Sequence, residues 1–300
     1  MPELPEVERV RATLEPGLVG RTVASVAVHR RDVVVAPGDP PGGFSRQRSA
    51  QPPRPVRLDR SLLLRGERIT GVLRRGKQLA IVSETRAVVV HLGMTGQLRL
   101  LAPGVRLTPA GHVHVRWTLA DASALLFRDP RRFGGVWALT GRAELAARWG
   151  ELGPDAIGIT PDELASAFAG VRASLKVALL DQRRLAGLGN IYADEAAFDA
   201  RLHPARLAGS LSGAEVARLA SSIRGTLTRA LAAGGSTLRD YADAEGRSGR
   251  AQLEHRVYGR AGQACRRCRG VLASGVLAQR TTVWCPRCQP QTGEVTRSGR

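Results

Sequence analysis

The sequence predicts a multidomain α+β protein with a β-rich first lobe, a helical second lobe and a small cysteine-containing module at the end. Its 300 residues are enough for about two domains of ordinary size. Short β-rich runs fill residues 21–139, and helical spacing of Ala, Leu, Glu and Arg takes over after residue 141. All four cysteines lie between residues 265 and 288.

The first lobe begins with an amphipathic segment. Val7, Val10 and Leu14 recur at helical spacing within residues 5–15, which predicts a helix. The short runs that follow are separated by Gly, Pro and Asp and are typical of a mainly antiparallel sandwich or barrel: TVASVAV, ITGVL, LAIVS, AVVVHL, HVHVRW and ALLF. Residues 36–55 contain six prolines and are expected to form a surface loop.

The second lobe is expected to be helical. The residues with helical spacing are followed by a Gly-rich polar stretch, residues 234–262, which predicts a loop before the cysteine module. Pro161, Asn190 and Ser212 are suitable helix starts. The predicted helices are 161–169, 174–184, 190–200 and 212–233.

The charge balance points to a polyanionic partner. Lys and Arg number 45 against 26 Asp and Glu, so the formal net charge is +19, and nucleic acid is the usual partner of such a chain. No apolar run reaches the roughly 20 residues needed to cross a bilayer, and the first residues carry acids where a signal peptide is basic and apolar. We therefore expect neither a secreted nor a membrane protein. Only two of the basic residues are lysines, Lys77 and Lys176.

The cysteines have the spacing of a zinc module. Two Cys-x-x-Cys pairs are separated by sixteen residues that read as a β-hairpin, with Arg280 near the end of its turn. Two disulfides are the alternative, but nothing in the sequence indicates an oxidising compartment. The pattern favours one structural Zn²⁺ with all four positions filled, bound by Cys265, Cys268, Cys285 and Cys288. His112 and His114 share one face of a predicted strand, and we interpret them as surface residues rather than metal ligands.

Six motifs in order give the chain a resemblance that covers residues 2 to about 289. They are MPELPEVE, RRGK, HLGMTG, DPRRFGG, LAGLGNIYADEAAF and VYGR before the cysteines. Together they closely resemble the bacterial formamidopyrimidine-DNA glycosylases. The resemblance implies an N-terminal antiparallel β-sandwich with a flanking helix, a helix-two-turn-helix domain and a C-terminal zinc-finger hairpin, with DNA across the cleft between the lobes. It divides the chain into residues 1–140, 141–250, 251–290 and a disordered tail at 291–300.

The N-terminus carries the chemistry that the resemblance implies. If Met1 is removed, Pro2 exposes a secondary amine, and an α-amino group titrates near pH 8 rather than near the 10.4 of lysine. Such an amine can form an iminium with a sugar C1′. In the family the proline is the nucleophile, Glu3 the main acid and base, and Glu6 a supporting acid. The alternative is that Pro2 only permits removal of Met1 and that the two acids compensate a helix dipole.

The resemblance also implies the reaction and the DNA contacts. The reaction is excision of oxidised purines such as 8-oxoguanine, followed by β,δ-elimination, and it requires the damaged base to leave the stack. Lys77 belongs to the implied catalytic set. Met94, Arg131 and Phe133 match a wedge that fills the vacated space, although core burial is the alternative for Met94 and Phe133. The phosphate and DNA contacts implied are His91, Lys176, Asn190 and Arg280, with an N-cap role as the alternative for Asn190.

Two other functions stay open. An endonuclease VIII-like enzyme would prefer oxidised pyrimidines, but that group typically begins MPEGPE, whereas this chain has Leu4 and Pro5. A zinc-finger DNA-binding protein without catalysis would not need an N-terminal imine former. Arg250 stands where family members commonly have an aromatic residue, in the lid that the resemblance implies over the extruded base. We expect a monomer in the bacterial cytoplasm, associated with the nucleoid, that acts on double-stranded DNA with oxidised bases or abasic sites and has no membrane partner.

Overall fold

The structure, a computed structural model, describes residues 2–39, 58–105, 111–237 and 241–291. Met1, most of the predicted proline-rich loop at 36–55 and nearly all of the predicted tail at 291–300 lie outside these ranges. The chain divides into two compact units. The first combines Met1–Gly150 with Gly234–Gly249, and the second combines Glu151–Ala233 with Arg250–Arg300.

The first unit contains two α-helices and nine strands among its described residues. Helix α1 is Leu4–Leu18 and helix α2 is Arg142–Gly150. The strands are β1 Val23–Val28, β2 Val34–Val35, β3 Gly71–Arg75, β4 Gln78–Val82, β5 Ala87–His91, β6 Gln97–Leu101, β7 Val113–Leu119, β8 Ala124–Arg128 and β9 Gly135–Leu139.

These strands form a sandwich, as the sequence predicted. One sheet has the order β1-β7-β8-β6 and the other the order β2-β9-β5-β4-β3. Neighbouring strands are antiparallel except β2 and β9, which are parallel. Buried residues of both sheets share one core cluster with α1, for example Val10, Ile81, Trp117 and Phe127. The burial of this continuous apolar layer stabilises the unit.

The second unit is helical and ends in the cysteine module. Its helices are α3 Pro161–Phe168, α4 Leu175–Leu180, α5 Asn190–Asp199 and α6 Gly213–Ala232. Thr160 and Ser212 cap α3 and α6 through their side chains. A two-stranded hairpin of β10 Ala273–Leu277 and β11 Arg280–Trp284 completes the unit.

The predicted helices are present, with one marked difference in length. The helix predicted over 174–184 ends at Leu180. The side-chain amide of Gln182 donates to the carbonyls of Leu180 and Leu188, each at 2.9 Å, and so satisfies the backbone of a turn in place of further helix. Within the described residues, no helix has both the length and the apolar character needed to cross a membrane.

Candidate active site and nucleic-acid interface

The N-terminus of α1 lies at the same end of the sheet as Lys77. Glu8 and Arg11 of α1 contact Arg74 and Val72 of β3, at 2.8 Å and 3.4 Å, so the helix runs antiparallel to the strand. Pro2 and Glu3, which precede the helix, therefore lie towards the end of β3 where the turn containing Lys77 begins. Both are buried.

Glu6 holds the backbone of this N-terminus. Its Oε2 accepts a hydrogen bond from the Glu3 backbone N–H at 2.8 Å, and its Oε1 accepts one from the Ser236 backbone N–H at 2.7 Å. The side chains of Glu3 and Glu6 are only 2% and 1% exposed, so these carboxylates sit out of solvent. A charged acceptor in such surroundings makes strong, directional hydrogen bonds.

Two further residues shape the space around Glu6. The hydroxyl of Tyr241 donates to the Glu6 carbonyl at 3.2 Å, and burial together with the charge of Glu6 raises the pKa of Tyr241, so the phenol stays protonated. Gly235 has a positive φ of 83°, and a Cβ there would lie 3.0 Å from Cγ and Oε1 of Glu6. Glycine at this position therefore allows the backbone to approach the carboxylate.

Lys77 and His91 lie at the end of the five-stranded sheet where β3 and β5 finish and β4 begins. Lys77 is a turn residue between β3 and β4, and the next residue, Gln78, pairs with His91 at the end of β5. Burial, and then the charges of Lys77 and Arg148, lower the pKa of His91 to about 4. The Gly93 N–H donates to Nδ1 of His91 at 3.1 Å, so the neutral ring carries its proton on Nε2 and can donate to an anion.

Met94, Arg131 and Phe133 lie on two loops next to this end of the sheet. Met94 follows β5, and the other two precede β9, whose Gly135 pairs with His91. The side chains of Met94 and Phe133 are each 44% exposed, so neither belongs to the core, which was the alternative for both. The guanidinium of Arg131 lies over the Phe133 ring at 4.6 Å from its centroid. The stacking holds two exposed groups together at the surface.

The second unit holds the other predicted contacts. Asn190 is the first residue of α5, and Gly189 rather than Asn190 occupies the N-cap position. The Asn190 side-chain amide donates to the Thr281 carbonyl at 3.0 Å, while its Oδ1 has no partner among the described residues. Arg280 begins β11 directly after the turn and is exposed. Asn190 and the residue after Arg280 are thus in contact.

Lys176 is buried rather than displayed on the surface. Its Nζ donates to Oδ1 of Asp194 at 2.5 Å and to the Asn190 carbonyl at 2.9 Å, and its side chain is 1% exposed. The other oxygen of Asp194 accepts from the Val283 N–H at 3.1 Å. Burial raises the pKa of Asp194 to about 6 although Lys176 opposes the shift. The ion pair thus connects α4, the start of α5 and the cysteine hairpin.

Glu195 fixes the segment before the cysteines. Its carboxylate accepts hydrogen bonds from three consecutive backbone N–H groups, those of Arg256, Val257 and Tyr258, at 2.8 to 3.1 Å. Burial nevertheless raises the pKa of Glu195. Sequence reasoning missed both Asp194 and Glu195. The adjacent acids in an otherwise apolar helix, NIYADEAAF, were the available signal.

The four cysteines fit a zinc ion. Their sulfurs all lie within 4.8 Å of one another, and all four are free thiols. Four sulfurs held at 2.3 Å around a tetrahedral ion would be about 3.8 Å apart; the Cys268–Cys285 and Cys265–Cys288 distances are 3.4 Å and 3.9 Å. A backbone hydrogen bond at Gly270 and a thiol neighbour lower the pKa of Cys268 to about 7, which favours the thiolate that metals bind.

One prediction about the histidines was wrong. His114 is 4% exposed, and its Nε2 lies 2.8 Å from the Asp129 carbonyl. The register between β7 and β8 shifts between Val113 and Val115. This irregularity turns His114 towards the interior. The exposed His112 lies before β7 in a turn with a positive φ of 67°, so the two histidines do not share a strand face.

The predicted residues therefore fall into three groups. The first lies at or next to one end of the five-stranded sheet in the first unit and can offer an amine, carboxyl groups, cations and exposed apolar side chains: Pro2, Glu3, Glu6, Lys77, His91, Met94, Arg131 and Phe133. The second lies beside the hairpin of the second unit: Lys176, Asn190 and Arg280. The third is the metal site: Cys265, Cys268, Cys285 and Cys288. The first group has the functional groups of amine and acid–base catalysis.

Three known sequence families match the chain in order. Residues 1–136 match the formamidopyrimidine-DNA glycosylase N-terminal domain, and residues 152–242 match the formamidopyrimidine-DNA glycosylase H2TH domain. Residues 262–291 match the zinc finger found in FPG and IleRS.

Relatives match over nearly the whole length. The formamidopyrimidine-DNA glycosylase of Laribacter hongkongensis is 42% identical over 292 residues, which covers 96% of this chain and 100% of the relative. A crystal structure of a Lactococcus lactis FPG mutant with DNA containing Fapy-dG has a TM-score of 0.81 and 30% identity, covering 97% of this chain and 100% of the other. The Lactococcus lactis Fpg complex with DNA containing an abasic site has a TM-score of 0.80 and 29% identity, with 96% and 100% covered.

Proposed function

The chain belongs to the formamidopyrimidine-DNA glycosylase family, and from this premise we propose how its residues perform the reaction. It is a DNA glycosylase of base excision repair that removes oxidised purines, and it also cleaves the strand as an abasic-site lyase. Its substrate is double-stranded DNA that contains oxidised bases or abasic sites. The observation that carries the residue assignment is the buried N-terminus of α1, where Glu6 holds the backbone N–H of Glu3 beside Pro2.

Pro2 is the nucleophile in this proposal, once Met1 has been removed. The lone pair of its nitrogen forms a bond to the sugar C1′, and the bond between C1′ and the base breaks. The base leaves with the electron pair of that bond and takes up the proton that the Pro2 nitrogen loses. The Glu3 carboxyl donates a proton to the ring oxygen as the ring opens. The resulting iminium acidifies the C2′ hydrogen, and Glu3 as carboxylate removes it to start elimination of the 3′ phosphate. Elimination of the 5′ phosphate follows, and water hydrolyses the iminium, which frees Pro2, releases the sugar remnant as an unsaturated aldehyde and leaves a one-nucleotide gap.

The surrounding residues bind and distort the DNA. Lys77 supplies a cation beside Pro2 and Glu3, and neutral His91 donates its Nε2 proton to a phosphate oxygen. Met94 and Phe133 fill the space that the extruded nucleotide leaves, and Arg131 pairs with the orphaned base. Asn190 and Arg280 bind phosphates from the second unit, and Lys176 supports them by holding the Asn190 carbonyl.

One structural zinc ion belongs to the C-terminal finger. Cys265, Cys268, Cys285 and Cys288 hold it, and with four sulfur ligands it leaves no position for a water or substrate. Its contribution is to fix the hairpin that carries Arg280. We further propose that this bacterial repair enzyme acts on nucleoid DNA and works as a monomer.

Excision assays on three duplexes test the proposal. We expect faster base release from 8-oxoguanine than from thymine glycol, and cleavage of an abasic-site duplex to 3′- and 5′-phosphate ends. Glu3→Gln should bind the same duplexes without releasing base, because the amide cannot donate and accept the proton. Faster release from thymine glycol would favour the endonuclease VIII-like alternative. Binding by the wild-type protein without any release would favour a DNA-binding protein without catalysis.

A further inference from the structure

Asp129 lies at the junction of the two loops that carry Met94, Arg131 and Phe133. It follows β8, is fully buried and has no ion-pair partner among the described residues. In the part of the chain that the structure describes, its carboxylate accepts hydrogen bonds only from uncharged donors. A buried carboxylate without a cation is costly unless several hydrogen bonds satisfy it.

Those hydrogen bonds come from both loops. Oδ1 accepts from the Thr95 hydroxyl at 2.5 Å and from the Arg131 N–H at 3.3 Å, and Oδ2 accepts from the Gly134 N–H at 2.7 Å. Thr95 directly follows Met94, and Gly134 directly follows Phe133. The backbone of Arg131 is therefore bonded to this carboxylate. Met94 and Phe133 each stand next to a residue that is bonded to it.

The backbones of the loops also pack against each other. Gly93 has a positive φ of 60°, and a Cβ there would lie 2.3 Å from both the Gly134 nitrogen and the Phe133 carbonyl carbon. Two glycine-containing turns are thus in direct backbone contact. On the other side, the His114 Nε2 holds the Asp129 carbonyl at 2.8 Å. The loops behave as one packed element rather than two independent turns.

We propose that Asp129 and Thr95 are positioning residues that fix Met94, Arg131 and Phe133 as a single preorganised wedge. The inference rests on the proposed function, because the wedge acts on an extruded base. The carboxylate acts through the backbone and does not touch DNA. Because the loops are already fixed, the three side chains enter the base stack of the DNA together, and binding to DNA does not first have to order them.

Thr95→Val tests this link, since valine keeps the shape of threonine and removes the hydroxyl. We expect single-turnover release of 8-oxoguanine to fall about tenfold, because a buried acceptor loses one of its partners. Thr95→Ser restores the hydroxyl and should recover most of the rate. Thr118→Val on β7 is the matched control for a threonine outside the loops and should leave the rate unchanged. Thr95→Ala supplies a second variant if Thr95→Val does not fold.

A double-mutant cycle distinguishes positioning from a general loss of stability. In a Met94→Ala background, Thr95→Val should cost clearly less than tenfold, because one of the three side chains that it positions is already gone. A full additional tenfold loss in that background would overturn the proposal, as would a wild-type rate for Thr95→Val alone. Failure of the wild-type protein to release 8-oxoguanine would instead overturn the proposed function, so the two failures are distinguishable.

Discussion

The carboxylate of Glu6 accepts a hydrogen bond from the backbone N–H of Glu3 at 2.8 Å, which fixes the residue directly after Pro2. The same carboxylate holds the Ser236 N–H at 2.7 Å, more than two hundred residues along the chain. One buried side chain therefore orders both the N-terminus and the start of the 234–249 segment. In the proposed mechanism its role is to position Pro2 and Glu3 rather than to exchange protons with the substrate.

Glu6→Gln should slow base release about tenfold. The glutamine amide has one acceptor oxygen, whereas the backbone N–H groups of Glu3 and Ser236 both need an acceptor. The amide NH₂ would face one of these donors, so a hydrogen bond worth about 1 to 2 kcal/mol is lost. Single-turnover release of 8-oxoguanine measures the effect.

Glu15→Gln, on the same helix, is the matched control. Glu15 is 44% exposed and pairs only with Arg11 among the described residues, so its loss should not change the rate. Equal rates for Glu6→Gln and Glu15→Gln would mean that Glu6 does not position the N-terminus.

Asp194→Asn should destabilise the protein strongly. The change leaves the ammonium of Lys176 buried without a charged partner, and breaking such a pair typically costs about 3 to 5 kcal/mol. Urea unfolding measures the difference. Asp181→Asn breaks a pair in which both side chains are 40% exposed and should cost less than about 1 kcal/mol. If the two variants unfold alike, the Lys176–Asp194 pair does not stabilise the second unit.

His91 should remain neutral throughout the physiological range. Its pKa of about 4 lies below the value near 6.5 of an unfolded histidine. Between these pH values the unfolded chain binds more protons, so the contribution of His91 to the free energy of unfolding falls as pH is lowered from 6.5 to 4. An NMR titration, assigned with His91→Gln, should show no midpoint for this ring between pH 5.5 and 8. A midpoint near 6.5 would contradict the assigned tautomer and donor role.

Cys268→Ser should remove the zinc and weaken DNA binding. Loss of one sulfur ligand from a closed site unfolds the finger, which displaces Arg280. Metal analysis should give one zinc per chain for the wild type and none for the variant, with at least about tenfold weaker binding to an abasic-site duplex. Ser274→Ala, an exposed change on the same hairpin, is the control. Unchanged zinc content and affinity in Cys268→Ser would refute the structural role.

Features set by nearby residues could be predicted from the sequence. The spacing of two Cys-x-x-Cys pairs predicts a zinc module, and the helical spacing of Val7, Val10 and Leu14 predicts α1. Helix α2 was not predicted because it buries only Leu145 and so lacks an apolar stripe.

Features that depend on the register or on distant partners could not be predicted. The interior position of His114 goes with a shift in the register between β7 and β8, which the alternation of the sequence does not encode. The burial of Lys176 depends on Asp194, eighteen residues away. The role of Asp129 depends on Thr95, 34 residues earlier. The sequence shows acidic residues in apolar surroundings, but only the structure shows which groups donate hydrogen bonds to them.

Borohydride trapping tests the central claim most directly, because reduction converts an iminium into a stable covalent bond. The mature protein is incubated with a duplex containing 8-oxoguanine or an abasic site, reduced, digested and analysed by mass spectrometry. We predict one DNA adduct per chain on the N-terminal peptide, attached to the nitrogen of Pro2. An adduct on Lys77 or another lysine, or none from a protein that still releases base, would contradict the account.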